Sequence, residues 1–410
     1  MKALVLNISI PRYLFIKSVG RFFRKSLPPL FPPLRLKDVP RPRLPGEDWV
    51  LVKTSMCGIC GSDLNTILGR ESPSLEPYGS FPVITGHEAI GRLAELGKGI
   101  KGFEVGQRVV VENVLPCKTR GIEPPCKFCQ QGQYNLCQNF DRGSIGAGVI
   151  NGLNSKVGGG WGEYFPAHMS QLFPLPDGLP DEKAVLIDSL ASALQAVASN
   201  PPADSDTVVA YGCGIIGIEC IAIIRALFPN TKIIAVGRHP FQREAAANAR
   251  ANLVISDKNL VNEVAKTTGA RILRPTISQP FLEGGVDIVY DCVGSPNSVD
   301  NSMRILRGGG KLTLIATAGM VEKIDMTRVW FKELEITGSS MFSHIDFEGK
   351  RMRTYQAAID LLNSGRIDVT GWLTHVFPID QYRLALKTAL DKRRYKSIKV
   401  AFAFDREKNL

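Results

Sequence analysis

The sequence has no apolar run long enough to cross a bilayer. About 18 residues would be needed, and the longest candidate, residues 215–228, is shorter and contains Glu219 and Arg225. A secretory leader is not expected either. Asn7 and Pro11 interrupt the first apolar stretch, and no small-residue cleavage site follows. Internal repeats and low-complexity tracts are missing, which argues against a solenoid. With 44% apolar and 22% charged residues, disordered and fibrous classes are excluded as well. Acidic residues are absent from one place: residues 1–37 hold eight Lys or Arg and no Asp or Glu. The net charge is +11, so only +3 belongs to the rest of the chain. The basic character is local, and no nucleic-acid partner is expected.

A disulfide framework is not expected. The nine Cys are an odd number in a chain of 410 residues, several in C-x-x-C pairs. That usage points to metal ligation in a reducing compartment, and a cytoplasmic location is expected. The length suggests two or three domains.

Residues 1–10 read as a strand stopped by Pro11. Over residues 13–25 the period changes. Phe15, Ile16, Val19, Phe22 and Phe23 share an arc of about 120° on a helix, with Lys17, Arg21, Arg24 and Lys25 opposite. Residues 39–173 are rich in short β-prone runs, Gly and Pro, which suggests a β-rich domain. From 206 to about 339 strands alternate with helices, which predicts a parallel sheet with helices on its faces.

Four motifs carry chemistry. Gly212-Cys213-Gly214-Ile215-Ile216-Gly217 follows an apolar strand and opens an apolar helix. That context makes it a dinucleotide fingerprint, with the phosphates at the helix N-terminus. The next strand ends at Gly237-Arg238-His239, where an NAD binder usually carries a carboxylate for the ribose hydroxyl. A missing carboxylate and an available guanidinium favour a 2′-phosphate, so NADP is expected in preference to NAD. Cys117, Cys126, Cys129 and Cys137 crowd into one loop-like stretch, and four thiolates suit a closed structural zinc site. Cys60 and His87 with a carboxylate could hold a second zinc with a position left open, as catalysis requires.

These motifs together resemble the zinc-dependent medium-chain alcohol dehydrogenase superfamily. G-I-C-G-S-D at 58–63, G-H-E at 86–88, the four-cysteine lobe and the dinucleotide fingerprint occur in the family's order. The nearest likeness is to the threonine, sorbitol and glucose dehydrogenase branch. The resemblance implies a chaperonin-10-like β-rich catalytic domain, residues 1–195, with a basic helical insertion at about 12–30 and a zinc lobe at about 115–140. A Rossmann nucleotide-binding domain, 196–342, would be inserted before a segment, 343–410, that completes the catalytic domain. Two zinc ions per chain are implied. Cys60 and His87 would be zinc ligands, Glu88 a ligand or an exchanging neighbour, and Asp188 a further ligand. Ser62 would touch the substrate oxygen and begin the proton relay, and Arg393 would reach the cofactor phosphates.

The implied reaction is reversible hydride transfer between NAD(P) and a small alcohol or carbonyl: a secondary alcohol, polyol, sugar or hydroxy amino acid. A homo-oligomer, dimer or tetramer, is expected. The alternative is a catalytically impaired cofactor-binding, membrane-surface or regulatory homologue. Three departures from the family stand out. Asn65 replaces a common relay histidine and cannot titrate. Eight residues separate Cys117 from Cys126 where the family has two, and residues 118–125 could loop out without moving the sulfurs. The helix at 13–25 is an insertion. Its apolar face either packs on the protein or a second subunit, or makes a peripheral contact with an anionic membrane.

Overall fold

The structure, a computed structural model, describes residues 1–19, 33–317, 319, 321 and 324–404. It divides into two compact units. One holds residues 1–188, 342–344 and 351–410, and the other holds 189–341 and 345–350. The break after Asp188 falls a few residues before the expected boundary at 195, and 345–350 go to the second unit.

The first unit opens with strand β1, Lys2–Leu6, and helix α1, Ile10–Val19. Pro11 therefore begins a helix rather than ending a strand. The first helical turn has no use for the missing N–H, and the ring pre-sets φ. Strand β2, Leu34–Asp38, returns antiparallel to β1, which also pairs with β4, Val83–Ile84. Of the predicted apolar arc on α1, Ile16 is buried at 1% exposure and Phe15 is half-buried. Ile10 and Leu14 face outward. Phe22, Phe23 and the basic residues beyond Lys17 lie outside the described residues.

Strand β3, Trp49–Gly58, is the spine of a seven-stranded sheet, buried on both faces for most of its length. It pairs antiparallel with β5, Ala89–Leu96, and with β7, Tyr164–His168. The C-terminal strand Lys399–Ala403 joins its far end, Ala401 opposite Gly58 and Phe402 opposite Cys57. The last segment of the chain thus completes the sheet begun by the first. Strands β6, Arg108–Val111, and β8, Leu172–Pro174, extend it on the other side. Val50, Val52, Trp161, Phe165 and Phe402 fill the core, each contributing roughly 1.5–3 kcal/mol by burial. Trp161 meets Phe402 edge to face.

The second unit is a six-stranded parallel sheet. Its order is Leu253–Ile255, Lys232–Val236, Thr207–Tyr211, Val286–Asp291, Leu306–Leu314, Glu335–Gly338. The strands Thr207–Tyr211 and Lys232–Val236 are near-continuous apolar runs because helices cover both faces of such a sheet. Chain order reverses between Thr207–Tyr211 and Val286–Asp291. Open α/β sheets bind ligands outside the carboxyl ends of their strands at such a point. The architecture is a GroES-like β domain with a Rossmann-type α/β domain.

Candidate active site and zinc centres

Cys60 is the N-cap of α2, Gly61–Ile67, where it forms a capping box with Asp63. The Asp63 carboxylate accepts the Cys60 backbone N–H through Oδ2 at 3.0 Å, and Oδ1 lies 3.3 Å from His87 Nδ1. His87 and Glu88 arrive on the turn that leads from β4 into β5. One ligand atom from each of Cys60, His87 and Glu88 lies within 4.8 Å of the others. Burial opposes a charge on His87, but the Asp63 carboxylate and the bonds to Asp63 and Cys60 hold the imidazole well above its usual value. A thiol, an imidazole and a carboxyl converging this closely fit zinc, with Asp63 orienting the ring from behind.

Glu88 has a second partner. Lys399 Nζ lies 2.5 Å from both carboxylate oxygens, and the two side chains are 2% and 1% exposed. A Cβ at Gly58 would run into Glu88 Oε2, so glycine is required where β3 passes this pair. Asp188 stands apart from the three-donor group. Its Oδ2 accepts from Asn113 Nδ2 at 2.7 Å and Tyr355 Oη at 2.5 Å. Burial, opposed by His87 and reinforced by Glu88, pushes its carboxyl up to about 7.

Ser62 and Asn65 are three residues apart on α2, so they share a helix face. The Asn65 side chain is bonded to Glu71, whose carboxyl burial pushes upward. Arg393 is exposed on the short helix Lys392–Tyr395. Its neighbour Lys392 has its ammonium pushed down by burial and by Lys399.

In the lobe, Cys117, Cys126, Cys129 and Cys137 also gather within 4.8 Å. The Cys117 and Cys137 sulfurs are 3.6 Å apart, and Cys117 Sγ accepts from the Cys126 N–H and from Asn139 Nδ2. Hydrogen bonding by Cys129 draws Cys137 down to about 5. The four sulfurs fit a closed tetrahedral zinc site. The inserted segment leaves the four sulfurs together and exposes Lys118, Gly121, Glu123 and Pro124, while Thr119 and Arg120 turn inward at 0% and 1% exposure. The Arg120 guanidinium donates to Leu115 O at 2.9 Å, Arg142 O at 3.1 Å, Gly146 O at 2.5 Å and Gly148 O. The insertion thus supplies an internal strut, because a buried guanidinium must satisfy its donors and the loop at 142–148 offers carbonyls.

In the Rossmann unit Gly212 adopts φ +102, and Gly214 caps helix Ile215–Leu227, which has no acid in its first turn. A Cβ on Gly217 would collide with Gly212 O, so the helix can sit this close to the strand only with glycine there. Ile215 and Ile216 form the first turn. Past the strand Lys232–Val236, Gly237 is buried and Arg238 exposed, while His239 caps helix Pro240–Asn248 and stacks on Phe241. Arg243 Nη1 donates to the Gly237 and Arg238 carbonyls at 3.2 and 3.3 Å, a second guanidinium at the same turn.

Asp63, Asn113, Tyr355, Lys399, Arg120 and Arg243 were not singled out from sequence. Asp63 alone had a local signal, its capping-box spacing from Cys60. The others reach their partners through tertiary packing.

The chain matches two family models, the alcohol dehydrogenase GroES-like domain over residues 46–177 and the zinc-binding dehydrogenase over residues 215–364. It is 26% identical over 364 residues to a sorbitol dehydrogenase of Bacillus subtilis, covering 87% of this chain and 90% of that one. It is 28% identical over 368 residues to an L-threonine 3-dehydrogenase of Paraburkholderia xenovorans, covering 88% and 93%. The crystal structure of 2R,3R-butanediol dehydrogenase from Bacillus subtilis superposes with a TM-score of 0.70 at 26% identity, covering 91% of this chain and 96% of that one. The chain belongs to the zinc-dependent medium-chain alcohol dehydrogenase superfamily and is an NAD(P)-dependent alcohol oxidoreductase.

Proposed function

We propose that this dehydrogenase interconverts a secondary alcohol, polyol, sugar or hydroxy amino acid and its carbonyl, with NADP in preference to NAD and two zinc ions per chain. The convergence of Cys60, His87 and Glu88, with Asp63 behind two of them, carries the reading. The intact donor set speaks for turnover and against an impaired homologue. Relatives named for sorbitol and threonine support the substrate class.

Bound zinc would act as Lewis acid on the substrate oxygen, and the nicotinamide would accept hydride. Cys60, His87 and Glu88 would hold the catalytic zinc, and Cys117, Cys126, Cys129 and Cys137 the structural one. Ser62 Oγ takes the substrate hydroxyl proton as it gives up its own. Asn65 beside it cannot titrate, so the released proton would travel through solvent toward Glu71, which is hydrogen-bonded to Asn65. Arg238, with Arg243 beside it, would pair with a 2′-phosphate, and Gly237 carries no carboxylate to repel one. Arg393 contributes to phosphate binding. The protein works in the cytoplasm as a dimer or tetramer. The exposed Ile10, Leu14 and Lys17 of α1 suit a peripheral contact with an anionic membrane. NADP-linked oxidation of a panel of secondary alcohols, polyols, sugars and hydroxy amino acids tests the reading. No turnover of any with a zinc-replete protein would overturn it.

A further inference from the structure

The N-terminal insertion shapes a charged cavity that the dehydrogenase reaction does not use. Strands β1 and β2 pair with Val5 opposite Arg35 and Ala3 opposite Lys37. Residues directly opposite each other share a face of the sheet. Leu4, Leu6, Leu34 and Leu36 therefore turn together into the core, while Val5, Arg35 and Lys37 share the other side. Helix α1 begins four residues after β1 ends, and Arg12 in its first turn donates through Nη1 to the Asn7 carbonyl at 3.3 Å. Val5, Asn7, Arg12, Pro33, Arg35 and Lys37 line a cavity of about 40 Å³.

Three of those six residues are cations, and none is a carboxylate. Among the described residues, Arg12, Arg35 and Lys37 form no ion pair. The nearest acid in sequence, Asp38, alternates onto the opposite face of β2 from Arg35 and Lys37. Arg35 and Lys37 are exposed and Arg12 is half-buried, so solvent screens part of their mutual repulsion, and an anion seated among them would relieve the rest. One water needs about 10–15 Å³ of such space, so the cavity admits a group of a few water volumes, the size of a phosphate. Two guanidiniums offer forked donors that match phosphate oxygens, and the lysine adds a point charge.

We propose that this cavity is a binding site for a phosphate group, either on a soluble phosphate or on the headgroup of a membrane lipid. The site is independent of the catalytic reading. The family resemblance has no counterpart for α1, so the Arg12 side of the cavity belongs to the insertion.

Titration calorimetry of the full zinc-loaded chain, saturated with NADP, tests it. Inorganic phosphate should bind saturably with one site per chain, because NADP already occupies the cofactor phosphate sites. Arg12→Gln, Arg35→Gln and Lys37→Gln should each weaken that binding about fivefold to tenfold, with zinc content and NADP affinity unchanged. Co-sedimentation with phosphatidylcholine vesicles containing phosphatidate distinguishes the sources. Binding that Arg35→Gln abolishes, and that pure phosphatidylcholine does not reproduce, assigns the lipid headgroup. Phosphate binding without vesicle binding assigns a soluble ligand. Failure of both phosphate and vesicles to bind overturns the proposal, as does binding that none of the three substitutions weakens. Vesicle binding that ignores all three substitutions would leave the membrane contact standing and remove the phosphate site.

Discussion

The carboxylate of Asp63 bridges two metal-site residues, one oxygen 3.3 Å from His87 Nδ1 and the other accepting the Cys60 backbone N–H at 3.0 Å. A single side chain thereby fixes the ring orientation of one proposed zinc ligand and the backbone of another. Asp63→Asn keeps the shape but loses the charge that selects the imidazole tautomer. Zinc affinity at this centre should fall roughly 10–100-fold, measured by chelator competition, while the lobe zinc is unaffected. Unchanged affinity would deny Asp63 its orienting part.

Arg120 is the counterpart in the lobe. Removing its guanidinium strands four carbonyl contacts in a buried place. Arg120→Gln should cost at least about 3 kcal/mol in denaturant unfolding and speed zinc release from the cysteine site. Cys126→Ser should show the same phenotype, because structural zinc binding and folding are coupled. A variant as stable as the parent would mean that the inserted segment is ornamental.

The proposed preference for NADP rests on the turn after Val236. Arg238→Ala should weaken NADP binding about tenfold, the value of one charge-assisted hydrogen bond, and leave NAD binding unchanged. Gly237→Asp should shift preference toward NAD. A Cβ there would stand 2.8 Å from Arg243 Cγ and 3.1 Å from Cys213 Sγ, so Gly237→Ala is the control for crowding. Better kcat/KM with NAD than with NADP in the parent protein would contradict the assignment.

The proton route predicts a pH dependence. Burial raises the Glu71 carboxyl above its ordinary value of 4.5, against a hydrogen bond with Asn65 that lowers it. Alcohol oxidation needs this group deprotonated, so the rate should climb with pH through a limb displaced upward from the ordinary glutamate value. Glu71→Gln should remove that limb and lower kcat roughly 10²-fold. If the limb survives the substitution, the proton leaves elsewhere.

Much of the molecule was legible because its signals are local. The glycine loop, the apolar strands Thr207–Tyr211 and Lys232–Val236, and the clustered cysteines each carry their meaning within a few residues. Residue types alone offered Cys60 and His87 as a possible pair, and the family resemblance joined them as ligands of one ion across 26 residues of intervening chain. Two contacts stayed hidden for a common reason. Lys399 meets Glu88 across 311 residues and Tyr355 meets Asp188 across 167, so each partner comes from the distant C-terminal segment of the first unit. Asp188 accordingly reads as a ligand by position, yet it is engaged by Asn113 and Tyr355. On α1, Ile16 turns inward as the helical period predicts, while Ile10 and Leu14 lie outside that arc and remain exposed.

The central claim is that Cys60, His87 and Glu88 form a zinc centre separate from the lobe. Elemental mass spectrometry of the folded chain, compared with Cys60→Ser, tests it most directly. The account predicts two zinc ions per parent chain and one in the variant, with the remaining ion resistant to mild chelation and alcohol oxidation abolished. One zinc in both proteins, or normal turnover by Cys60→Ser, would contradict it.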